Sequence, residues 1–422
     1  MTFNIYTLGC KVNTYESNVM IDKLTNAGYT QVGVDESADI SIINTCTVTN
    51  NADSKSRKII NQAIKKNKDA IIIVCGCLVQ NKNVNIDGVD IIIGNVGKSK
   101  IVDYIEDYKK SNKKIDDIKD VMHTSFEPMI LNNFNKTRAF VKIQDGCNNF
   151  CTFCIIPYAR GNVRSKKRED VLKEVNNLIL SGHKEIVLTG IHTGNYGAEF
   201  KDYRLSDLLE ELIEIKGIER IRISSIEMNE ITDKVLDIMK KSNIIVDHLH
   251  IPLQSGSNTV LKRMNRKYNI NEFKEKIKEI RKIRPYISIT TDVIVGFPGE
   301  TDEEFKETIE TIKEINFTKI HVFPYSKRDK TKAALMENQV DGNIKKQRVK
   351  QLLDLSKKLE IDYMNKFKDK KVTFIPEVYR DGFIIGHTGN YLLIKTKGNK
   401  QDLNKDKKIT IKEIKYPYCV GC

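Results

Sequence analysis

Three cysteines that stand close together in the sequence are the residues best suited to chemistry. Cys147, Cys151 and Cys154 form a C-x3-C-x2-C pattern within the run Asp-Gly-Cys-Asn-Asn-Phe-Cys-Thr-Phe-Cys, without an obvious fourth ligand. A structural zinc site normally has four protein ligands, whereas an iron–sulfur cluster held by three cysteines keeps one iron open. The pattern therefore favours a cluster with an open iron. The alternatives are a zinc knuckle with a remote fourth ligand and three buried thiols.

The stretch around these cysteines, from Lys142 to Arg160, resembles the radical S-adenosylmethionine enzymes. The resemblance implies a 4Fe-4S cluster whose open iron binds S-adenosylmethionine. It also implies that the bound molecule is cleaved reductively to a 5′-deoxyadenosyl radical. In such an enzyme the protein supplies binding and orientation, and the cofactor supplies the difficult chemistry.

The composition indicates a basic protein with reduced thiols. The chain of 422 residues carries a net charge of +14 and nine cysteines. Nothing at its N-terminus has the basic and apolar regions of a signal peptide, and no apolar run approaches the roughly 20 residues that span a bilayer. We therefore expect a cytoplasmic protein without membrane association, divided into two or three domains.

Residues 1–121 alternate strand-like runs with amphipathic stretches, which is typical of a parallel sheet covered by helices. Cys10, Cys46 and Cys77 follow the first three runs, each at a carboxyl end. Because such ends line one crevice in a parallel sheet, the three thiols can converge and hold a second cluster. The alternative for each is a buried, inert thiol. The strand-like runs are 3–8, 39–44, 70–74 and 89–93.

Two neighbouring cysteines compete for the third position of this set. Cys75 and Cys77 are two residues apart, so on an extended segment they point to the same side. We favour Cys77 because it lies on the turn rather than in the strand. Residues 76–80 also resemble the Gly-Cys-x-Ala-Gln motif of the methylthiotransferase N-terminal domain, with Val in place of the usual Ala. Residues 7–13 and 44–49 match the same domain.

Residues 137–360 repeat a strand followed by a helix six times, which predicts a partial TIM-type (β/α)6 barrel. Residues 100–137 are charged and weakly patterned, and we expect them to form a connector. Catalytic groups of such barrels stand at the carboxyl ends of the strands, where the informative motifs of this chain fall. The strand-like runs are 139–143, 185–188, 220–224, 248–253, 288–295 and 319–323.

The strand ends of this barrel carry residues that suit S-adenosylmethionine. Ser225 and Glu227 suit its ribose. Gln254 suits a polar edge of the molecule, and Arg266 suits its carboxylate. The alternative for each is an ordinary salt bridge or turn. Further candidates, at turns where small residues let the backbone approach a ligand, are Thr189, Gly190, Asp292 and Gly296.

Residues 366–422 predict a small basic module. They contain thirteen Lys or Arg against six Asp or Glu, and a charged amphipathic helix, 342–365, precedes them. Short strands with Gly turns predict an OB-like β-barrel, which is a common nucleic-acid platform. Residues 386–391 resemble the TRAM domain, an RNA-binding module. The strand-like runs are 372–378, 382–387, 391–396 and 408–414.

A C-x2-C pair, Cys419 and Cys422, ends this module. Such a pair can react as thiolate and relay sulfur. We nevertheless expect no essential role for it. Two thiols leave a zinc site half filled, and a terminal tail is usually mobile.

Two further segments, 248–268 and 292–301, resemble the radical methylthiotransferases, so the resemblance covers almost the whole chain. Residues 188–194, 147–157 and 321–328 resemble the branch that acts on N6-threonylcarbamoyladenosine in tRNA. The resemblance implies that a methylthio group is installed at C2 of the adenosine just 3′ of the anticodon. The expected fold class is α/β, with a parallel α/β domain, a radical S-adenosylmethionine barrel and a TRAM domain.

The same resemblance implies cofactors and partners. These are two 4Fe-4S clusters, S-adenosylmethionine as methyl donor and radical source, the anticodon stem-loop of tRNA, and an electron donor such as flavodoxin or ferredoxin. Whether a protein donates the sulfur stays open. Alternative substrates are isopentenyladenosine in tRNA and an aspartate of a ribosomal protein. A non-catalytic iron–sulfur protein that binds RNA and senses redox state is the alternative from another class.

Overall fold

The N-terminal region is a parallel six-stranded sheet with the strand order β2-β1-β3-β4-β5-β6. A computed structural model describes residues 1–82 and 86–422 of the chain. Separate apolar clusters cover the two faces of the sheet, so its central strands β3 and β4 are buried throughout. The strands are β1 (Thr2–Thr7), β2 (Thr30–Gln31), β3 (Ile40–Thr45), β4 (Ile71–Gly76), β5 (Ile91–Ile93) and β6 (Ile115–Asp117), and the helices are α1 (Lys11–Asn26), α2 (Asn50–Lys66), α3 (Cys77–Lys82) and α4 (Ile101–Ser111).

The expectation of a connector over residues 100–137 was wrong for its first half. Helix α4 and strand β6 occupy that half, and β6 extends the sheet. Ile101 and Ile105 of α4 are buried because residues four apart share one helix face. The charged residues on the rest of α4 obscured this short apolar stripe. Residues 118–137 contain no helix or strand.

The central region is a partial barrel of two parallel three-stranded sheets, ordered β7-β10-β11 and β12-β13-β14. A parallel bridge between Ile221 and Ile245 connects the sheets, and one large apolar cluster packs the helices against them. A small antiparallel pair, β8 (Gln144–Asp145) and β9 (Arg164–Ser165), flanks the triad loop. The other strands are β7 (Arg138–Lys142), β10 (Glu185–Thr189), β11 (Arg220–Ile223), β12 (His248–His250), β13 (Ser288–Val295) and β14 (Lys319–Pro324).

Helices follow the strands of the partial barrel, as its repeating pattern predicts. They are α5 (Ile156–Arg160), α6 (Arg168–Leu180), α7 (Leu205–Leu212), α8 (Asp233–Lys241), α9 (Asn258–Arg263), α10 (Ile270–Ile283), α11 (Asp302–Ile315) and α12 (Gly342–Asn365). Helix α12 leads into the C-terminal region. No helix in the described ranges has the length and apolar character that crossing a membrane requires.

The C-terminal region is a closed five-stranded barrel with the order β15-β16-β17-β19-β18. The expected mobile tail was wrong, because the tail forms β19, which pairs with both β17 and β18. Cys419 of this strand is fully buried in the barrel core, whereas Cys422 is exposed. The strands are β15 (Lys371–Arg380), β16 (Phe383–Thr388), β17 (Leu393–Lys397), β18 (Lys407–Lys415) and β19 (Tyr418–Gly421).

Candidate active site

The cysteines of the N-terminal region lie at the ends of adjacent strands. Cys10 stands between β1 and α1, Cys46 follows β3, and Cys77 follows β4 as the first residue of α3. Burial, and then the neighbouring Cys77 thiol, raise the pKa of Cys46 to about 11. The Cys77 thiol acts electrostatically on both Cys10 and Cys46, and Cys10 acts on Cys46, so the structure brings together the three residues that the sequence predicted to converge. We call them the auxiliary set.

Two glycines with left-handed backbone make room for the auxiliary set. Gly9 has φ +96°, and a side chain there would begin 2.8 Å from the Cys46 sulfur. Gly76 has φ +99° and turns the chain out of β4, so the extended geometry that we expected for Cys75 and Cys77 was wrong. Cys75 instead packs into the apolar core, and burial raises its pKa to about 12.

A buried charge cluster joins the auxiliary set to the partial barrel. Arg160 of α5 donates hydrogen bonds to Glu16 (2.8 Å) and to the side chain of Asn13 (2.6 Å) on α1. Asn13 in turn donates to the backbone carbonyls of residues 8 and 45, which precede two of the cysteines. Two carboxylates, Glu16 and Asp145, face four buried cations, which are Lys98, Lys142, Arg160 and Arg164.

This excess of buried positive charge suits an anionic group at the auxiliary set. Arg160 is an electrostatic neighbour of all three auxiliary thiols, and its Nε has no hydrogen-bond partner within the described residues. Asn95 donates to the Cys77 sulfur (3.5 Å) and to the carbonyl of Ala159 (2.7 Å), next to Arg160. Thiolates that ligate a metal would supply the missing negative charge. The residues therefore fit a cysteine-ligated cluster.

The second set of thiols, Cys147, Cys151 and Cys154, lies on the loop between β8 and α5 and is called the triad. Burial, and then the other two thiols of the triad, raise the pKa of Cys154 to about 12, so the three sulfurs are neighbours. The Nη1 of Arg266 donates to the Cys151 sulfur (3.3 Å), and the Cys147 sulfur lies 3.6 Å from Nδ1 of His192. Each of these two thiols therefore has a basic side chain beside it.

Those basic groups make the triad a favourable place for thiolates. Although burial acts in the opposite sense, the Cys147 thiol and the Glu230 carboxylate raise the pKa of His192 to about 10. Arg266 is buried, pairs with Glu227 (2.9 Å), and keeps an Nη2 without a partner in the described structure. Across residues 1–82 and 86–422, no three His, Cys, Asp or Glu side chains are arranged around a single metal ion. With a guanidinium beside Cys151 and an imidazole beside Cys147, the triad fits a cysteine-ligated, anionic group.

A cavity of about 840 Å³ lies where the three regions of the chain meet. Cys10 and the first residues of α1 line it from the N-terminal region, and Tyr391 and His387 line it from the C-terminal barrel. Much of the remaining wall comes from the interior of the partial barrel, where alternate residues of each strand point inward. Helix α12 also contributes to the wall. Four of the predicted cofactor residues line it, namely Thr189, Gly190, Ser225 and Asp292.

The other four predicted residues lie outside this lining. Glu227 and Arg266 form the ion pair beside Cys151. Gln254 adopts φ +65° and bridges β12 to β13 through Val293. The Gly296 amide donates to the Glu300 carboxylate within the turn that leads into α11. The eight predicted residues thus fall into three groups. Four line the cavity, Glu227 and Arg266 form an ion pair beside the triad, and Gln254 and Gly296 shape turns.

Several residues of the cavity wall were not among those predicted from the sequence. His248 and His250 alternate on β12, and His321 faces them from β14. His250 lies 3.2 Å from the Asp292 carboxylate. The His-x-His spacing on a short strand was the available signal, because residues two apart share one face. Lys11 is a further wall residue and directly follows Cys10.

Two family models match the chain. The radical SAM superfamily matches residues 141–312, and uncharacterized protein family UPF0004 matches residues 2–94. The threonylcarbamoyladenosine tRNA methylthiotransferase MtaB of Bacillus subtilis is 46% identical, over 100% of this chain and 96% of its own length. The chain belongs to the radical S-adenosylmethionine methylthiotransferase family. It is an enzyme of that family, and its predicted α/β fold class is confirmed.

Other relatives of this methylthiotransferase carry two different names. An MtaB protein of Aquifex aeolicus is 39% identical, over 94% of this chain and 96% of its own. A tRNA-2-methylthio-N(6)-dimethylallyladenosine synthase of Clostridium tetani is 37% identical, over 97% and 94%. Among solved structures, the radical S-adenosylmethionine methyltransferase TsrM of Kitasatospora setae has a TM-score of 0.57 and 12% identity, over 76% of this chain and 74% of that one. At this identity the likeness concerns the fold.

Proposed function

We propose that this methylthiotransferase converts N6-threonylcarbamoyladenosine in tRNA to its 2-methylthio derivative, at the adenosine just 3′ of the anticodon. The observation that carries the proposal is the pair of cysteine sets in a chain that aligns over its full length with a protein of that named activity. In the proposed reaction the methylthio group replaces the hydrogen at C2. An aromatic C–H bond offers no leaving group, so a cofactor must activate it.

Two 4Fe-4S clusters and S-adenosylmethionine are the proposed cofactors. The triad would hold the cluster that supports radical chemistry, and Cys10, Cys46 and Cys77 would hold the auxiliary one. When bound, these groups supply the radical, the sulfur and the methyl group. We place S-adenosylmethionine in the partial barrel, with contacts drawn from Thr189, Gly190, Ser225, Glu227, Gln254, Arg266, Asp292 and Gly296.

The side chains around the cofactor sites have positioning and electrostatic roles in this proposal. Arg266 and His192 place positive charge against the triad, which favours thiolates over thiols. Arg160 does the same for the auxiliary set from the opposite region. Both sets belong to regions that share the cavity.

We further propose functional domains over residues 1–121, 137–360 and 366–422. The last of them would dock the anticodon stem-loop, because its excess of Lys and Arg suits phosphate contacts. The C-terminal barrel also lines the cavity through His387 and Tyr391, so RNA docked on it would lie next to the cavity. An external electron donor such as flavodoxin or ferredoxin, a sulfur source and a cytoplasmic location complete the proposal.

The deciding experiment is nucleoside mass spectrometry of tRNA from cells with and without this gene. We expect 2-methylthio-N6-threonylcarbamoyladenosine to disappear in the deletion strain and to return with the wild-type gene. Loss of the methylthio-isopentenyl nucleoside, or of the methylthio group on a ribosomal protein, would assign the enzyme to another branch. Purified protein should also release 5′-deoxyadenosine after anaerobic reduction with S-adenosylmethionine, which a non-catalytic redox sensor would not do.

A further inference from the structure

One cation in the cavity wall has no charged partner. Lys11 is the first residue of α1 and lines the cavity beside Cys10. Within the described part of the chain it forms no ion pair and no side-chain hydrogen bond. The groups that act electrostatically on Lys11 are Tyr391, Arg222, Arg138 and Cys10, none of them a carboxylate. A partly buried lysine without a carboxylate is unusual, since buried charges are normally paired.

The surroundings of Lys11 favour an anion. Tyr391 reaches this place from the C-terminal barrel, and its hydroxyl accepts a hydrogen bond from Arg138 (3.1 Å). Arg138 pairs with Glu377 (3.0 Å) and Arg222 pairs with Glu185 (2.8 Å). The guanidinium of Arg222 lies 4.6 Å from the centre of the Tyr391 ring, and its Nη1 still has no partner among the described residues. Although burial opposes the effect, Arg138, Lys11 and Arg222 together lower the pKa of Tyr391.

His248 adds a further polar atom without a partner. Its ring stacks on Tyr391 with 4.6 Å between centroids, and it lines the cavity. Its Nε2 lies 3.2 Å from the Thr290 hydroxyl, whereas its Nδ1 is buried and has no hydrogen-bond partner in the described structure. Burial holds the pKa of His248 well below its usual range, so the ring is neutral. A ligand in the cavity would give this buried atom the hydrogen-bond partner that it lacks.

The proposed substrate carries one anion that the cavity wall around Lys11 could bind. Its N6 substituent carries the carboxylate and hydroxyl of threonine, whereas an isopentenyl substituent is apolar. The proposed function assigns the carboxylate of S-adenosylmethionine to Arg266 beside the triad. The other anion near Lys11 would be an auxiliary cluster at Cys10, and loss of iron and sulfide in Lys11→Ala would assign the lysine to that cluster instead. We propose that Lys11 binds the carboxylate of the threonylcarbamoyl group, with His248 as a neutral hydrogen-bonding neighbour, and so selects this nucleoside over the isopentenyl one. This inference rests on the proposed function.

The inference can be tested on full-length protein with both clusters reconstituted anaerobically. The probes are anticodon stem-loop RNAs that carry threonylcarbamoyladenosine, its threonine methyl ester or isopentenyladenosine. Wild-type protein should bind and modify the free acid about tenfold to a hundredfold better than the ester, since a hydrogen bond to a charged group is lost in the ester. Equal KM and kcat for acid and ester would overturn the inference, even without any variant.

Variants locate the effect at Lys11. Lys11→Ala should raise KM for the acid about tenfold to a hundredfold, leave the ester unchanged, and reduce the preference over isopentenyladenosine. Lys11→Arg should keep most of the preference because it keeps the charge. Lys23→Ala is the matched control, since Lys23 lies exposed on the same helix and should change nothing.

Other readouts separate this role from damage to the site. Iron and sulfide content and the Kd for S-adenosylmethionine should be the same in Lys11→Ala and wild type. Equal losses for acid and ester, or a weaker affinity for S-adenosylmethionine, would overturn the inference and leave the proposed function intact. If wild-type protein modifies isopentenyladenosine and not the acid, both the inference and the proposed function are wrong.

Discussion

The two cysteine sets of this methylthiotransferase are built in different ways. The triad lies on a single loop between β8 and α5, so its spacing is a local property of the sequence. The auxiliary set comes from three separate strand ends, and its cysteines meet only because β1, β3 and β4 are adjacent and parallel. The triad therefore depends mainly on its own loop, whereas the auxiliary set depends on a folded sheet and on packing between regions.

The largest expected effect comes from removing the triad. Replacing Cys147, Cys151 and Cys154 together by Ala should remove about half of the iron and sulfide and abolish 5′-deoxyadenosine formation, because one of two clusters is lost. The remaining iron should stay with the auxiliary set. Iron and sulfide analysis of reconstituted protein measures this, and iron content equal to wild type would refute the assignment of the triad.

A comparison of two thiols that are two residues apart tests the ligands of the auxiliary set. Cys77→Ala should remove the auxiliary iron and stop methylthiolation while 5′-deoxyadenosine release persists. Cys75→Ala is the matched control: it should keep both activities and lower the free energy of unfolding by about 1 kcal/mol, as a small core truncation does. Iron analysis and chemical denaturation measure the two effects. The opposite pattern would move the ligand role to Cys75.

A substitution in the buried charge cluster tests whether Arg160 stabilises the auxiliary set rather than the triad. Arg160→Met leaves Glu16 and Asp145 with fewer buried partners, so we expect the free energy of unfolding to fall by about 3 kcal/mol. Iron should be lost mainly from the auxiliary set, and Arg160→Lys should recover part of both quantities. Denaturation curves and iron analysis provide the measurements. A loss confined to the triad would contradict the proposed role of Arg160.

The smallest effects are expected at the thiols that end the chain. Cys419→Ser places a hydroxyl in the core of the C-terminal barrel and should cost about 1 to 3 kcal/mol of stability, whereas Cys422→Ser should change it by less than about 0.5 kcal/mol. Neither variant should lose turnover with sulfide or with a protein sulfur donor. Loss with the protein donor alone would make the pair a sulfur relay.

Much of the fold could be predicted from the sequence because its signals are local. The strands of the partial barrel and helix α12 stand close to their predicted bounds, since apolar runs and helical periodicity persist there. Helix α4 and strand β19 were missed for opposite reasons. Only two buried isoleucines mark α4, and β19 is a four-residue strand that gains its order from β17 and β18.

In the candidate site, too, local features could be predicted from the sequence, whereas contacts between distant segments could not. The triad spacing and the strand-end cysteines could be recognised in the sequence, because each lies in a motif or at a predicted strand end. The contacts to S-adenosylmethionine stay a prediction. Asn95 and Tyr391 could not be identified, because no spacing links either to a cysteine. Their relevance comes from contacts between distant segments: Asn95 with Cys77, and Tyr391 with Arg138 and His248.

The sequence alone determined the type of chemistry, because thiols at C-x3-C-x2-C spacing lie within reach of one another in any fold of that loop. It also determined the order of the regions, through the periodicity of apolar residues. Tertiary structure alone decided the surroundings of those thiols. The left-handed turn at Gly76 separates Cys77 from Cys75, and the packing of α5 against α1 buries Arg160 near the auxiliary set. Convergence of three regions places Lys11 in the cavity wall without an ion-pair partner among the described residues, because burial and pairing depend on residues far apart in the chain.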